Sequence, residues 1–412
     1  MQPMRSIAIA GLLIVASTAA FGAEGALEMK GDLSFQQAAT TRNGEAALSR
    51  KEVSVSANYG LDKCSAKLAL RARSDADLAP THVDYNEVRE AAVVCRNDDW
   101  LLGFGRQAVV WGKVDNFRVL DAIHPFDYRE SLLDDKESAR RPLAMVRIER
   151  QISESDAVQL LLINERREDI LPQPGERFSA LYPQAALDRI ATSVNAPSSL
   201  ALDNSQVGFK WEHTGQQLSY TVNFLRHWAP QPSYVNQANG TVARYVYRQT
   251  MLGGSVDLAL SEWVLRGEAA YLPQVYLPTQ PATFGAVPDY QRYGQLTWAI
   301  GVDRSIGEWL FNAQLLQTRI NGGSSALLTD REQRLASIAF SRSYLQDRLK
   351  LRAFVARDLS RSGTWVSASA AYDLSPAWEL STNLDLLDGD DASIFGKIKH
   401  ESRLKIGVRL RF

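Results

Sequence analysis

The chain ends on "RLKIGVRLRF", residues 403–412. Leu404, Ile406, Val408, Leu410 and Phe412 alternate with Lys405, Gly407, Arg409 and Arg411. Successive side chains of a strand point to opposite faces, so this segment forms a strand with one apolar and one cationic face. A soluble sheet could carry such a strand, and the rest of the chain decides what each face meets.

The start narrows the choice. Met1–Arg5 is a short basic leader, "SIAIAGLLIVAS" (Ser6–Ser17) is an uncharged apolar run, and "TAAFGA" supplies small residues for cleavage. Together they form a secretory signal peptide over residues 1–23, and the apolar run is too short for a membrane-spanning helix. With no Cys near the cleavage region, a lipoprotein is not expected. Cleavage leaves about 390 residues. No Pro/Ser/Gly-rich linker divides them, so residues 24–412 are expected to form a single domain. The 46 Lys and Arg nearly balance the 47 Asp and Glu, so overall charge calls for no nucleic-acid partner.

A strand pattern recurs about every twenty residues. "EVSVSANYG" sets Val53, Val55, Ala57 and Tyr59 against Ser54, Ser56 and Asn58, and "LSYTVNF" sets Leu218, Tyr220, Val222 and Phe224 against Ser219, Thr221 and Asn223. Every second connection is a tight turn ("GLDK", "RNDD", "SESD", "HTGQQ", "LSE", "SIGE", "LQDR", "LSPA"). The intervening ones are longer, as at 114–141, 167–204, 228–241 and 273–291. Many segments of about ten residues, one face apolar, with short turns on one side and long loops on the other, define an all-β transmembrane antiparallel barrel of the outer-membrane type. The count is 18 strands, starting near 26, 50, 63, 87, 101, 142, 156, 205, 218, 243, 261, 292, 309, 334, 349, 364, 378 and 403, or 16 if one hairpin is miscounted. An even number returns the last strand to the side of the first and closes the sheet. Trp100, Trp263, Trp309, Trp365 and Trp378 open strands, and Tyr59, Tyr271 and Tyr372 lie close to strand ends, which suits aromatic girdles. Exported barrels resemble one another in ending on such a strand with a C-terminal Phe, and Phe412 matches that signal to the barrel assembly machinery.

The two cysteines, Cys64 and Cys95, fall on successive strands about a loop centred near Ala79 and Pro80, which puts them opposite one another. Directly paired residues come within disulfide reach, and the compartment is oxidising. A Cys64–Cys95 bridge near the turn-side rim is therefore expected. No catalytic, metal or cofactor motif stands out: His82, His124, His213, His227 and His400 sit at unrelated spacings. No enzyme activity, metal or cofactor is expected.

Residues 105–141 break the barrel pattern. After Trp111-Gly112 comes an apolar series (Phe117, Val119, Leu120, Ile123, Phe126, Leu132, Leu133) among dense charges that include Asp115, Asp134, Lys136 and Arg140. A connection this apolar is expected to fold inward and narrow the lumen over 114–141, with a helical turn at "YRESLLDD". The competing arrangement is an outer cap packed on itself. This stretch, "GRQAVVWGK…LDAIHPFDYRE", also resembles a motif of a poorly characterised family of proteobacterial outer-membrane barrels. Gly105, Arg106, Gln107, Trp111, Gly112, Leu120, Asp121, Pro125, Asp127 and Arg129 carry the match; His124 stands where those relatives often have Asn. The resemblance implies the fold and an outer-membrane location, and some relatives accompany systems that handle hydrophobic compounds or export.

Inward faces are assigned to Lys67, Arg71, Arg73, Arg147, Lys210, Arg266, Lys350, Arg352, Lys405, Arg409 and Arg411, opposed by Glu90, Glu149, Glu212, Glu262, Glu268, Glu379 and Asp385. The reading that follows is a porin-like channel in the outer membrane of a Gram-negative bacterium, for uptake or efflux of small solutes, tilted towards anions and carboxylates. Its expected surroundings are outer-membrane lipids, the assembly machinery and a small-molecule solute; the sequence sets no oligomeric state. The alternative is a receptor, or an anchoring partner of an envelope export system that handles hydrophobic compounds. A transporter of such molecules would show a lateral opening or an apolar patch in the lumen.

Overall fold

The computed structural model describes residues 25–75, 84–114, 116–195, 204–237, 239–281, 288–322 and 327–412. The expected signal peptide, His82 and Asp115 lie outside them.

Among the described residues, alternation along the chain builds 21 strands in order. They are β1 (Gly25–Thr40), β2 (Ala46–Leu61), β3 (Cys64–Asp75), β4 (Asp84–Arg96), β5 (Trp100–Gln107), β6 (Leu143–Gln151), β7 (Asp156–Ile163), β8 (Ala191–Ser193), β9 (Gln206–Thr214), β10 (Leu218–Trp228) and β11 (Ser233–Asn236). There follow β12 (Val242–Tyr245), β13 (Arg248–Leu260), β14 (Trp263–Thr279), β15 (Asp289–Ile306), β16 (Trp309–Asn321), β17 (Glu332–Tyr344), β18 (Leu349–Asp358), β19 (Gly363–Asp373), β20 (Trp378–Gly389) and β21 (Arg403–Arg411). Eighteen of them form one antiparallel sheet, each paired with its neighbour in sequence, and β8, β11 and β12 make a separate three-stranded sheet on the loop side. The large sheet closes: Leu33 lies opposite Leu410 and Thr40 opposite Arg403, where β1 meets β21. The terminal Phe412 completes the seam by exchanging two backbone hydrogen bonds with Gly31.

The two faces separate as the alternation requires. Leu404, Ile406 and Val408 are exposed on the outside, with Leu68, Phe209, Leu252, Ile300 and Phe340 around the same band. A continuous apolar exterior is the lipid-facing surface of a membrane barrel. Trp100, Trp263, Trp309 and Trp378 stand on it at the turn-side ends, each more than a third exposed. Cys64 and Cys95 pair directly in the register and form a disulfide beside the turn-side rim.

Several expectations need correction. Trp365 belongs to no girdle: it points inward at the loop-side end of β19, packed against Phe354 and Phe395, with its Nε1–H on Asp385 at 3.0 Å. Tyr271 lies mid-strand, because β14 and β15 run on through most of 273–291. Pro273 looks like a stop because it lacks an N–H, yet the register slips between Leu272 and Val275, and such a bulge tolerates proline. The strand expected from 243 is instead the short β12, with the barrel strand beginning at Arg248. Glu262 sits in a turn, exposed, and pairs with Arg304 rather than facing the interior.

The assigned faces are checked by introduced cysteines, since the described residues contain no free thiol. A cysteine at Arg409 is expected to react with a water-soluble maleimide in lipid-embedded protein, and one at Ile406 to stay unreactive. The opposite pattern would shift the register by one residue and invert every face.

Candidate functional site

The connection from β5 to β6, residues 108–142, turns into the barrel. Its departure starts at Gly105, whose φ of +113° and close approach to β4 exclude a side chain: a Cβ there would lie 2.2 Å from the Ala91 carbonyl oxygen. A 3-10 turn (Ser131–Leu133) and α1 (Lys136–Ala139) shape its far part.

One side of this segment is apolar. Val109, Trp111, Val114, Val119, Leu120 and Ile123 are buried against inward side chains of eight strands, from Leu143 and Met145 on β6 round to Leu316 on β16 and Leu335 on β17. The wall makes room for it: a Cβ on Gly253 would lie 2.4 Å from Leu120. Polar contacts fix the depth. Trp111 donates to Gln159 at 2.7 Å, and the Glu268 carboxylate accepts the backbone N–H groups of Lys113, Val114 and Leu120. Lys113 reaches Asp257 at 2.7 Å, and Asn116 spans to Asn312, Ser337 and Arg352 on the far wall.

The other side is ionic. Arg403 and Glu130, both almost fully buried, pair at 2.6 Å. Asp134 pairs with Arg50 at 3.3 Å and Arg73 at 3.5 Å, while Arg50 also holds Asp75. Burial alone would raise the Asp134 pKa, but Arg50 and Arg73 hold it well below the usual carboxylate range. Arg71, Arg73 and Arg89 all donate to Ser138. Within the segment Arg140 binds Asp121 at 2.7 Å, and Arg129 binds Asp127 and lies over the Tyr85 ring. Removing one partner of such a pair leaves a buried charge and costs about 3–5 kcal/mol.

A second insertion completes the fill. Phe178, from the β7–β9 connection, and Phe395 and Ile398, from the β20–β21 connection, pack with Leu133 against Phe354, Ala356 and Leu387. Below them, a cavity of about 1150 Å³ reaches from Leu132–Asp135 to the turn side, bordered by Lys350, Arg352, Lys405, Asp385 and Glu308.

The remaining expected residues are distributed as follows. Lys67 pairs with Glu90, Arg147 with Glu149, Lys210 with Glu212 and Arg266 with Asp303, all along the wall. Lys350 and Arg411 meet at Asp373, and Arg409 and Arg411 at Glu379. In the motif, Arg106 pairs with Glu165 at 2.6 Å, Gln107 is buried, Gly112 lies close to Asp121, and the Pro125 carbonyl accepts the Arg141 N–H. His124 accepts the Val109 N–H at 2.8 Å; burial lowers its pKa to about 3, so it is neutral and acts as a structural acceptor. Sequence reasoning placed Glu130 among the charges of the inserted segment but overlooked its partner Arg403, together with Arg50, Glu165, Asp169 and the second insertion. Arg403 had a signal, since it shares the face of Lys405, Arg409 and Arg411.

The closed 18-stranded barrel with an inward-folded connection is the fold class of outer-membrane porins. The chain belongs to the family described as "Protein of unknown function (DUF1302)", whose profile matches residues 102–400. No curated protein matches it. Among solved structures it is similar to OccAB4 of Acinetobacter baumannii, with 7% identity over 95% of this chain and 98% of that one and a TM-score of 0.53. OccK1 (OpdK) of Pseudomonas aeruginosa matches at 9% identity over 94% and 98%, with a TM-score of 0.52. A structure of Pseudomonas aeruginosa OpdK with vanillate matches at 9% identity over 93% and 98%, with a TM-score of 0.51. These likenesses show the fold.

One contact makes the closed arrangement sensitive to pH. Asp169, in the β7–β9 connection, accepts the Phe126 N–H at 2.8 Å and the Gln231 side chain at 3.0 Å, tying the inserted segment to two outer connections. Burial pushes its pKa up from 3.8 to about 6. A raised folded-state pKa means the fold holds the proton more tightly, so this stabilisation is complete below about pH 3.8 and is lost as pH rises through about 6. Thermal unfolding of Asp169→Asn is expected to lose the part of the pH dependence that the native chain shows between pH 4 and 7. An unchanged profile would contradict the assignment.

Proposed function

We propose that the chain is a gated channel of the outer membrane of a Gram-negative cell, closed in the arrangement described. It would carry small solutes in uptake or efflux, with a preference for anions bearing a carboxylate. The observation that carries this reading is the inserted segment. It fills the interior, yet half of its hold on the wall is ion pairs and hydrogen bonds, which water can replace at little net cost once both partners are wetted together. The turn-side cavity carries both signs, Arg342, Lys350, Arg352 and Lys405 beside Asp134, Asp135, Glu308, Asp347 and Asp385, so the preference rests on which of these charges a solute meets first. Pseudomonas aeruginosa OpdK, similar in fold, has been crystallised with vanillate, a carboxylate, which is consistent with that preference. The exposed ring of Phe412 at the seam is offered to the assembly machinery, and the apolar exterior to outer-membrane lipids.

The same filled interior favours a second reading, a plugged receptor or an anchoring partner of an envelope export system. Planar-bilayer recordings separate the two. The native chain is expected to show rare or small steps, and a chain with 114–141 shortened large, steady, anion-selective steps, with folding checked by heat-modifiable gel mobility. Silence in both would favour the receptor or anchor.

A further inference from the structure

Among the described residues, the strand pairing of the wall is interrupted between β4 and β5. β4 pairs with β3 along nearly its whole length, but with β5 only from Ala91, opposite Arg106, to Arg96. Among the described residues, Asp84–Glu90 therefore has no strand on its β5 side. β5 has eight residues from Trp100 to Gln107. At about 3.3 Å per residue and a tilt of about 40° it rises about 20 Å, short of an apolar band about 25 Å tall. With Trp100 at the turn-side interface, the break opens at the level of the outer leaflet.

Charges stand where the strand is missing. Arg106 pairs with Glu165 at 2.6 Å, Glu165 with Arg167 at 2.7 Å, Arg167 with Glu87 at 3.3 Å and Glu87 with Arg71 at 3.0 Å. Arg106 also donates to the Val88 carbonyl at 3.0 Å, satisfying one acceptor of the open edge. Apolar surface lies on both sides of this row. Phe104 outside is 71% exposed, whereas Val109 and Ile163 inside are buried in the lumen cluster.

We propose that this break is a side port through which a carboxylate-bearing amphiphile passes between the outer leaflet and the barrel interior. Its carboxylate takes the place of Glu165 between Arg106 and Arg167, and its apolar body follows the surface from Phe104 to Val109 and Trp111. This rests on the channel reading, and it names the substrate class and the route. Two guanidiniums flanking one displaceable carboxylate suit a single anionic head, and the apolar walls suit a long or polycyclic body.

The test uses the full chain in nanodiscs with cis-parinaric acid and its methyl ester as probes. The native protein is expected to bind the acid saturably and about tenfold more tightly than the ester. Glu165→Gln, which removes the competing carboxylate from between the two guanidiniums, is expected to tighten acid binding about tenfold. Arg106→Gln with Arg167→Gln is expected to make acid and ester equal. Energy transfer to the probe should fall in Trp111→Phe, which places it against the inserted segment. Heat-modifiable mobility verifies folding, and if the double variant fails to fold, Arg167→Gln alone, expected to lose most of the preference for acid over ester, replaces it. Equal binding of acid and ester in both the native and Glu165→Gln proteins, no saturable binding in either, or energy transfer indifferent to Trp111, would overturn the port. Large conductance of the shortened chain without acid selectivity sinks the port alone. Silent recordings with selectivity intact sink the channel and leave the site standing.

Discussion

A strand facing hydrocarbon must satisfy its backbone within the protein, because each unpaired polar group there costs several kcal/mol. Closure of β1 on β21 meets that requirement, and most of the architecture follows from it. The chain needs an even number of strands, an apolar outward row on each, and turns kept to one side. The exception is informative. Where β4 loses its neighbour, Arg106 turns to the Val88 carbonyl and a row of alternating charges spans the gap. The molecule covers its open edge with side chains that can exchange partners, which a strand cannot do.

Closing a barrel of 18 strands leaves an interior that must be filled or wet. Residues 108–142 fill it with two different faces. The apolar face gains from every Å² withdrawn from water, at about 25 cal/mol per Å². The ionic face gains little net energy, since desolvating Arg403, Glu130, Arg50 and Asp134 offsets most of their attraction. It contributes position instead: a slipped segment would strand those charges without partners. Attraction without register on one side, and register without much attraction on the other, give a closure that is specific and still reversible.

Much of the barrel was legible because period-two alternation is local. The strand starts, the tight turns, the Cys64–Cys95 pairing and the inward course of 105–141 all follow from residues near one another or from simple hairpin arithmetic. The readings that failed turn on contacts between distant residues. Pro273 looks like a stop until the bulge opposite Gln295 and Tyr293 is seen. Trp365 reads as a girdle residue until Phe395, from another connection, packs on it. The partners of the lumen charges were not readable at all. Arg403 meets Glu130 across 273 residues, and nothing in either neighbourhood names the other.

Amide hydrogen exchange of the lipid-embedded chain tests the closed interior most directly. Val109, Val114 and Leu120 donate their N–H groups to His124 and Glu268 inside the barrel. The account predicts that these amides exchange as slowly as those of the barrel strands, and far more slowly than residues in the turn-side connections. Exchange at the rate of an open loop would mean that the segment does not occupy the interior, and that the barrel is held open by other means.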